Sequence, residues 1–155
     1  DSTWAMLDIA KRTPIRANTM LNNIEVADEM VFGTHRHKQP VSKEVAYSHT
    51  HITNKSDADF NHHVTNMTYL YACLAALPTE YQESHTVTEL GIWFKQESFI
   101  GESMECTVYT TEEPDLWNFR IVTAGERVSC LATIRYADKP EAVTNMLNDN
   151  LEIRQ

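Results

Sequence analysis

Polar and apolar residues alternate along several short segments of the chain, a pattern typical of half-buried β-strands. The alternation is clear in five segments, at residues 45–51, 90–94, 104–108, 117–121 and 128–136. Residues 124–126, with a glycine at their centre, predict a hairpin turn between the last two strands. A shorter strand is predicted at residues 3–9, followed by a turn at residues 11–14.

One helix is predicted between the first two of the five strands. Its apolar residues recur at helical spacing and form a single stripe, made of Met67, Leu70, Tyr71, Leu74 and Leu77. Pro78 should end this helix, and a polar loop should connect it to the next strand. A strand, a helix and then several antiparallel strands form an α+β order. An antiparallel sheet wrapped around the central helix would bury the stripe.

The remaining segments carry weaker patterns. Residues 17–32 have scattered apolar positions without a period, and residues 33–43 are polar, contain Pro40 and are typical of a linker. The basic residues of this linker are expected to be solvated, which we favour over a docking patch. The polar residues 141–155 predict a short helix or a frayed end.

Composition excludes several classes of protein. A chain of 155 residues with 42% hydrophobic residues is large enough to bury the core of one domain. The longest uninterrupted apolar stretch, residues 69–77, is too short to span a bilayer, so we expect no membrane span. A net charge of −9 argues against binding of nucleic acid. The three widely spaced cysteines are expected to be small buried hydrophobic residues in a reducing compartment, at Cys73, Cys106 and Cys130.

Residues 56–66, SDADFNHHVTN, are the chemically most informative segment. They place a carboxylate, a carboxamide and an imidazole at alternate positions just before the predicted helix, at Asp59, Asn61 and His63. The first turn of a helix has unpaired N–H groups and the positive end of the helix dipole, which suit a carbonyl oxygen. Asp59 and His63 each fit the role of base, acid or orienting group. The Asn61 amide fits the role of holding substrate or water.

A turn and a helix cap are the alternative explanation for Asp59 and Asn61, because Asp and Asn are common in both. Their combination with His63 at regular spacing favours a functional site. His62 has no place in this pattern, and the other five histidines show no metal-ligand spacing with a carboxylate or a cysteine, at His35, His37, His49, His51 and His85. We therefore expect no metal and no cofactor.

The same segment resembles the active-site pattern of acyl-[acyl carrier protein] (acyl-ACP) thioesterases, which are built from two hot-dog domains. The pattern D-x-N-x-H-V-x-N followed by an aromatic residue is matched by Asp59, Asn61, His63, Val64, Asn66 and Tyr69. The resemblance covers nearly the whole chain and implies the C-terminal half of such an enzyme. Residues 44–140 would form a hot-dog thioesterase domain. Residues 1–43 would be the last strand of a preceding hot-dog domain and a linker, and residues 141–155 a tail.

In that family a later strand carries an aromatic and basic run that ends in Glu-Cys, and the glutamate is implicated in catalysis. Residues 92–98, IWFKQES, match this run, so the resemblance implies that Glu97 is catalytic. Ser98 stands where many members have cysteine, which excludes a cysteine nucleophile and leaves activation of water. Ser98 as a nucleophile is less favoured because no G-x-S-x-G elbow surrounds it. An ion pair with Lys95 or Arg135 is the alternative explanation for Glu97.

The resemblance implies hydrolysis of fatty acyl-ACP thioesters, which releases free fatty acid and ends fatty acid synthesis. It implies acyl carrier protein as the partner, although the charge of −9 is unfavourable for so acidic a protein. The location would be the bacterial cytoplasm, or the plastid stroma in a plant.

Alternatives to this function are a single-domain acyl-CoA thioesterase, a non-catalytic acyl-binding hot-dog module and, less well matched, a hydratase or dehydratase. A homodimer or pairing with a missing N-terminal hot-dog domain is expected, because an isolated hot-dog sheet exposes edges.

Overall fold

The computed structural model describes residues 6–8, 10–11, 13–16 and 38–140. The chain divides into two compact units, Asp1–His37 and Lys38–Gln155, a boundary that lies earlier than the predicted one after residue 43. The predictions for residues 17–32, 33–37 and 141–155 lie outside the described residues. Within the described ranges, neither α-helix approaches the length and apolarity that a bilayer span requires.

The described part of the first unit is a β-hairpin. Strand β1 (Met6–Asp8) pairs antiparallel with β2 (Thr13–Ile15). The Asp8 carboxylate supports the connection, since its Oδ1 accepts the N–H groups of Ala10 at 3.0 Å and Lys11 at 2.9 Å. The predicted turn at residues 11–14 is therefore wrong at Thr13 and Pro14. Both lie in β2, where Pro14 is opposite Leu7 at the edge of a two-stranded sheet.

The described part of the second unit, residues 38–140, contains a five-stranded antiparallel sheet and two α-helices. Its elements follow in the order β3 (Val45–Ile52), α1 (Asn66–Ala75), α2 (Thr79–Ser84), β4 (His85–Phe94), β5 (Ser103–Tyr109), β6 (Leu116–Thr123) and β7 (Arg127–Asp138). A short 3₁₀ helix, Lys55–Asp57, precedes α1. The strand order across the sheet is β3-β5-β6-β7-β4. The predicted α+β architecture and all five predicted strands are confirmed.

The connection from α1 to β4 differs from the predicted polar loop. Helix α1 ends at Ala75, and Pro78 is the N-cap of α2. Strand β4 begins directly after α2, at His85. Proline is well tolerated at the start of a helix because its missing N–H has no partner there. Pro78 therefore separates two helices.

The predicted apolar stripe of α1 is confirmed at Leu77, which is 3% exposed just beyond the helix end, and is wrong at Met67 and Tyr71. Met67 is 49% exposed and Tyr71 is 62% exposed, while Leu70 and Leu74 are only partly buried. The buried face consists of Thr68, Tyr69, Ala72 and Cys73, continued by Ala76 beyond the helix end. Small side chains at Ala72, Cys73 and Ala76 let the helix lie close to the strands. Two faces of α1 have residues at helical spacing. Close packing on the sheet favours the face that carries the small side chains of Ala72, Cys73 and Ala76.

The core lies between α1 and one face of the sheet. Its fully buried residues come from alternate positions of the three central strands, and they include Met104, Cys106, Val108, Phe119, Ile121, Cys130, Ala132 and Ile134. Cys73, Cys106 and Cys130 are free and buried, as predicted. Burial raises the pKa of the Cys130 thiol to about 12. A hydrogen bond with Cys106, together with burial, raises the pKa of Cys73.

Residues 38–43, predicted as linker, form no helix or strand but are bonded to the sheet. The Gln39 side-chain amide donates to the carbonyl oxygens of Phe119 at 3.0 Å and Ala132 at 2.6 Å. The buried Asn118 amide donates to the Pro40 carbonyl at 2.8 Å and to the Ser42 hydroxyl at 2.9 Å. These bonds explain why the second unit begins before β3.

The corrected face of α1 is testable with two alanines of the same helix. Ala72 is 4% exposed against the sheet, whereas Ala75 is exposed. Ala72→Leu should destabilise the fold by about 1–3 kcal/mol through overpacking, and Ala75→Leu should change stability by less than about 0.5 kcal/mol. Urea unfolding of both variants measures the difference. Equal effects at the two positions would contradict the assigned face.

Burial of the three thiols predicts their reactivity. The thiolate is the nucleophile, the hydrogen bond with Cys106 and burial raise the pKa of Cys73, and burial raises the pKa of Cys130. The folded protein should therefore react very slowly with iodoacetamide at pH 8. Cys106, which is 1% exposed, should be protected sterically. In urea all three should be alkylated, which mass spectrometry counts directly. Rapid modification of any thiol in the native protein would show that the core opens there.

Candidate active site

A cleft of about 630 Å³ lies where the start of α1 meets the end of β4. Ligand sites are commonly of this size. Apolar side chains form one part of its wall, and they come from Val64, Met67, Tyr69 and Phe94. Polar side chains form the rest, from Asp59, His63, Thr65, Asn66, Lys95, Gln96 and Glu97. The cleft can therefore hold a molecule that is partly apolar and partly polar.

The loop before α1 is organised by Asp59. Its Oδ1 accepts the N–H of Asn61 at 2.8 Å and the N–H of His63 at 3.2 Å. Its own N–H donates to the His63 carbonyl at 2.9 Å. His62 is exposed and has a φ of +64°, which lets the chain reverse between Asn61 and His63. One carboxylate oxygen of Asp59 thus fixes the backbone that carries the His63 imidazole.

The start of α1 supplies donors to the same cleft. The N-cap residue is Thr65, whose side chain makes no capping bond to the helix backbone. N–H groups in the first turn have no partner within a helix, and the positive end of the helix dipole lies there. Thr65, Asn66 and Met67 all line the cleft. This end of α1 can therefore stabilise an oxygen that becomes negative.

A bulge at the end of β4 places Glu97 opposite this helix end. The N–H groups of Lys95 and Gln96 both donate to the Ser129 carbonyl, at 2.8 and 3.2 Å, so two residues face one on β7. The chain then turns inward, and the Ser98 carbonyl accepts the Val64 N–H at 3.0 Å. This last bond joins the segment that carries Glu97 to the loop that carries His63.

The two side chains approach each other across the cleft. His63 Nε2 lies 3.9 Å from Glu97 Oε2, which is longer than a hydrogen bond. The His63 side chain is 40% exposed and that of Glu97 is 56% exposed, so both are accessible to water and substrate. Arg135, one of the two alternative partners considered for Glu97, instead donates to Glu89 and Glu113. The imidazole and the carboxylate can therefore act on a molecule between them.

The structure brings three of the four predicted site residues together. Asp59, His63 and Glu97 line the cleft, whereas Asn61 is exposed and does not line it. Ser98 is fully buried and does not line the cleft either. Among the described residues, no group of His, Cys, Asp and Glu side chains is arranged to hold a metal ion.

Sequence reasoning assigned no site role to several residues of the cleft. Asn66 and Tyr69 belong to the motif, and their positions in the first turns of a helix were the available signal. Burial raises the pKa of Tyr69, so its phenol stays neutral. Lys95 and Gln96 reach the cleft only because of the bulge, which alternation along β4 does not reveal.

Comparison with solved structures shows the fold. An acyl-ACP thioesterase from Bacteroides thetaiotaomicron superposes with a TM-score of 0.70 at 15% identity, over 84% of this chain and 53% of that one. The 12:0-ACP thioesterase from Umbellularia californica gives 0.68 at 15% identity, over 86% and 53%. A 1,4-dihydroxy-2-naphthoyl-CoA thioesterase from Synechocystis gives 0.51 at 14% identity, over 61% and 84%. The predicted hot-dog fold is confirmed.

The chain spans about half the length of the two acyl-ACP thioesterases. The comparison with curated protein sequences gave no significant match. A family description does match: the acyl-ACP thioesterase C-terminal domain aligns with residues 40–139, more than half of the chain. This chain therefore belongs to the acyl-ACP thioesterase C-terminal domain family.

Proposed function

We propose that this protein hydrolyses fatty acyl-ACP thioesters, which releases free fatty acid and ends fatty acid synthesis. The observation that carries this proposal is the approach of His63 and Glu97, at 3.9 Å, beside the N-terminus of α1. Hydrolysis of a thioester needs a base for water, donors for the oxyanion and a proton for the thiolate. The cleft holds groups suited to each of these tasks.

The geometry supports a division of roles. The thioester carbonyl would lie at the start of α1, where N–H groups stabilise the oxygen as water attacks the carbonyl carbon. His63 and Glu97 would take the proton from that water and return one to the sulfur as the C–S bond breaks. Asp59 would act as the orienting group, because its Oδ1 already holds the backbone of His63. For Asn61, which does not line the cleft, the role of holding substrate or water through its amide stays a prediction from the sequence.

Water is the proposed attacking group. The Ser98 hydroxyl belongs to a fully buried residue outside the cleft, so it has no path to a thioester carbonyl there. Its backbone carbonyl serves a structural purpose through the bond with Val64. Ser98 at the usual cysteine position is thus compatible with hydrolysis by water.

An acyl-CoA thioester is the second candidate substrate. The charge of −9 does not separate the two, because acyl carrier protein is acidic and CoA carries ionised phosphates, so both would be repelled at long range. The fold similarity to a CoA thioesterase from Synechocystis is consistent with acyl-CoA as the substrate. Initial rates with matched acyl-ACP and acyl-CoA of the same chain length decide between the two. A kcat/KM for acyl-CoA that exceeds that for acyl-ACP would overturn the choice of carrier.

Strand β4 supports the proposed pairing with another hot-dog domain. It forms one edge of the sheet and exposes three large apolar side chains, Val87, Leu90 and Phe94, each 44% accessible. An exposed edge with apolar side chains is suited to extension of the sheet. We infer that a second copy or a preceding hot-dog domain adds to this edge and completes the cleft at Phe94.

The reaction would take place in the bacterial cytoplasm or the plastid stroma.

His63→Ala and Glu97→Ala should each lower kcat by about 10²–10⁴-fold, the usual contribution of general acid–base groups. Asp59→Ala should also lower kcat, because the loop that presents His63 loses its support. The measurement is steady-state hydrolysis of acyl-ACP, with circular dichroism to confirm folding. A fully active His63→Ala variant would refute the mechanism. Binding of acyl chains without turnover in the parent protein would instead favour the non-catalytic module.

Asn61→Ala and Ser98→Ala test the residues that do not line the cleft. We expect Asn61→Ala to lower kcat, since the proposed role of its amide is to hold substrate or water. Ser98→Ala should be mild by comparison, because its hydroxyl takes no part in the reaction. Near-parental rates for Asn61→Ala would show that Asn61 is not a catalytic residue. A Ser98→Ala variant as inactive as His63→Ala would instead support a serine nucleophile.

The pairing predicts that Leu90→Lys weakens association through β4. A charge in the middle of an edge strand opposes sheet extension. The control is Ile52→Lys on β3, at the opposite edge, where the parent side chain is 68% exposed. Sedimentation velocity at micromolar concentration should show a dimer for the 155-residue chain and for Ile52→Lys, but monomer for Leu90→Lys. A stable parent monomer would exclude self-pairing and leave a separate domain as the partner.

A further inference from the structure

A tight turn follows the segment that carries Glu97. The Glu102 N–H donates to the Phe99 carbonyl at 3.2 Å, which closes a turn of four residues. Its third residue, Gly101, has a φ of +88°, the conformation that makes glycine the favoured residue at this position. The turn connects buried Ser98 with strand β5. Neither end of it lines the cleft.

The turn is fixed to the end of β3 by Thr53, which is 2% exposed. The Thr53 N–H donates to the Glu102 carbonyl at 3.0 Å, and the Gly101 N–H donates to the Thr53 carbonyl at 2.9 Å. The Thr53 hydroxyl donates to the Phe99 carbonyl at 2.7 Å. The backbone of the turn is therefore held on one side by the strand that leads into the Asp59 loop.

The Glu102 carboxylate holds the turn on the other side. Its Oε2 accepts the N–H of Phe99 at 3.1 Å, and its Oε1 accepts Nη2 of Arg127 at 2.6 Å. Arg127 is itself anchored, because its Nε donates to the Ala124 carbonyl at 2.9 Å. Hydrogen bonds between charged groups are shorter and stronger than neutral ones. Phe99 is thus linked through Glu102 to the β6–β7 hairpin.

Phe99 contacts His63 in two ways. The backbones of the two residues form an isolated antiparallel bridge. Their rings meet edge to face, with centroids 5.5 Å apart and planes at 82°. A displacement of Phe99 would therefore move the imidazole. On its other side, the segment with Glu97 is fixed by the two bonds to the Ser129 carbonyl.

We propose that Glu102 and Arg127 are positioning residues, which hold Phe99 so that the His63 imidazole faces Glu97 at the reactive distance. The proposal rests on the proposed function, since it assigns these two residues to the spacing of the same pair. Glu102 and Arg127 act from outside the cleft and touch neither the substrate nor the reacting atoms. Their ion pair sets the position of His63 through the backbone and the ring of Phe99.

Glu102→Gln is the central test, because it keeps the shape of the side chain and removes its charge. Misplacement of a catalytic group by about 1 Å can cost about 10²-fold, so kcat for acyl thioester hydrolysis should fall by about that factor, with KM nearly unchanged. Arg127→Met removes the ion pair and the bond to the Ala124 carbonyl but keeps the bond between Glu102 and the Phe99 N–H, so it should lower kcat in the same direction by less. It also serves as the test if Glu102→Gln fails to fold.

Arg135→Gln is the matched control. Arg135 lies on the same strand, β7, and its ion pairs to Glu113 at 2.6 Å and Glu89 at 3.1 Å resemble those of the Glu102 network in length. None of the three residues lines the cleft. Arg135→Gln should leave kcat and KM at the parental values. A loss equal to that of Glu102→Gln would show a general effect of removing ion pairs, and would overturn the proposal.

A second measurement does not depend on turnover. The Phe99 ring shifts the NMR signals of the His63 imidazole protons, which are assigned by comparison with His63→Gln. Glu102→Gln should move these signals toward the shifts of an unstructured histidine, while Arg135→Gln should not. An unchanged His63 signal in Glu102→Gln would overturn the positioning proposal even if kcat falls. A parent protein without thioesterase activity would refute the proposed function, and the His63 signal would then decide the positioning role by itself.

Discussion

The close packing of helix α1 on the antiparallel sheet is the constraint on which the other features of the second unit depend. Ala72, Cys73 and Ala76 leave so little side chain between helix and strands that the position of the helix is fixed. Its N-terminus consequently lies beside the end of β4, where the cleft forms. The larger Met67 and Tyr71 are displaced to the surface by the same packing.

Polar contacts then refine what this packing places approximately. The Asp59 carboxylate orders the loop before the helix, and the Val64–Ser98 bond joins that loop to the segment after β4. The bulge on Ser129 redirects β4 so that Glu97 faces the cleft. Each of these contacts is a hydrogen bond to a backbone carbonyl or to a charged carboxylate. Such bonds fix distances and angles more narrowly than apolar packing does. His63 and Glu97 meet because these contacts act on both segments at once.

The same features make the cleft suited to the thioester that we propose as its substrate. Donors at the helix start, an imidazole and a carboxylate surround a point where a carbonyl would lie, while Val64, Met67, Tyr69 and Phe94 offer apolar contact. Phe94 belongs both to the cleft and to the exposed edge strand β4. The proposed catalysis and the proposed sheet pairing would therefore meet at one residue. An acyl chain that left the cleft past Phe94 would run along the surface that a second hot-dog domain is proposed to cover.

The sequence by itself determined the elements that depend only on residues close together in the chain. Period-two alternation predicted the five strands, the glycine at residue 125 predicted the last hairpin turn, and the motif from Asp59 to Asn66 predicted the family and the candidate site residues. Only the tertiary structure decided which face of α1 is buried. Leu70 and Ala72 lie on two different faces, each with residues at helical spacing, and packing against the sheet determines which face is buried. It also decided that His63 approaches Glu97 and that Asn61 does not line the cleft, since a bulge and backbone bonds between distant segments set those positions. Contacts between distant segments produce no repeating pattern in the sequence, because they join residues that meet only after the sheet has formed.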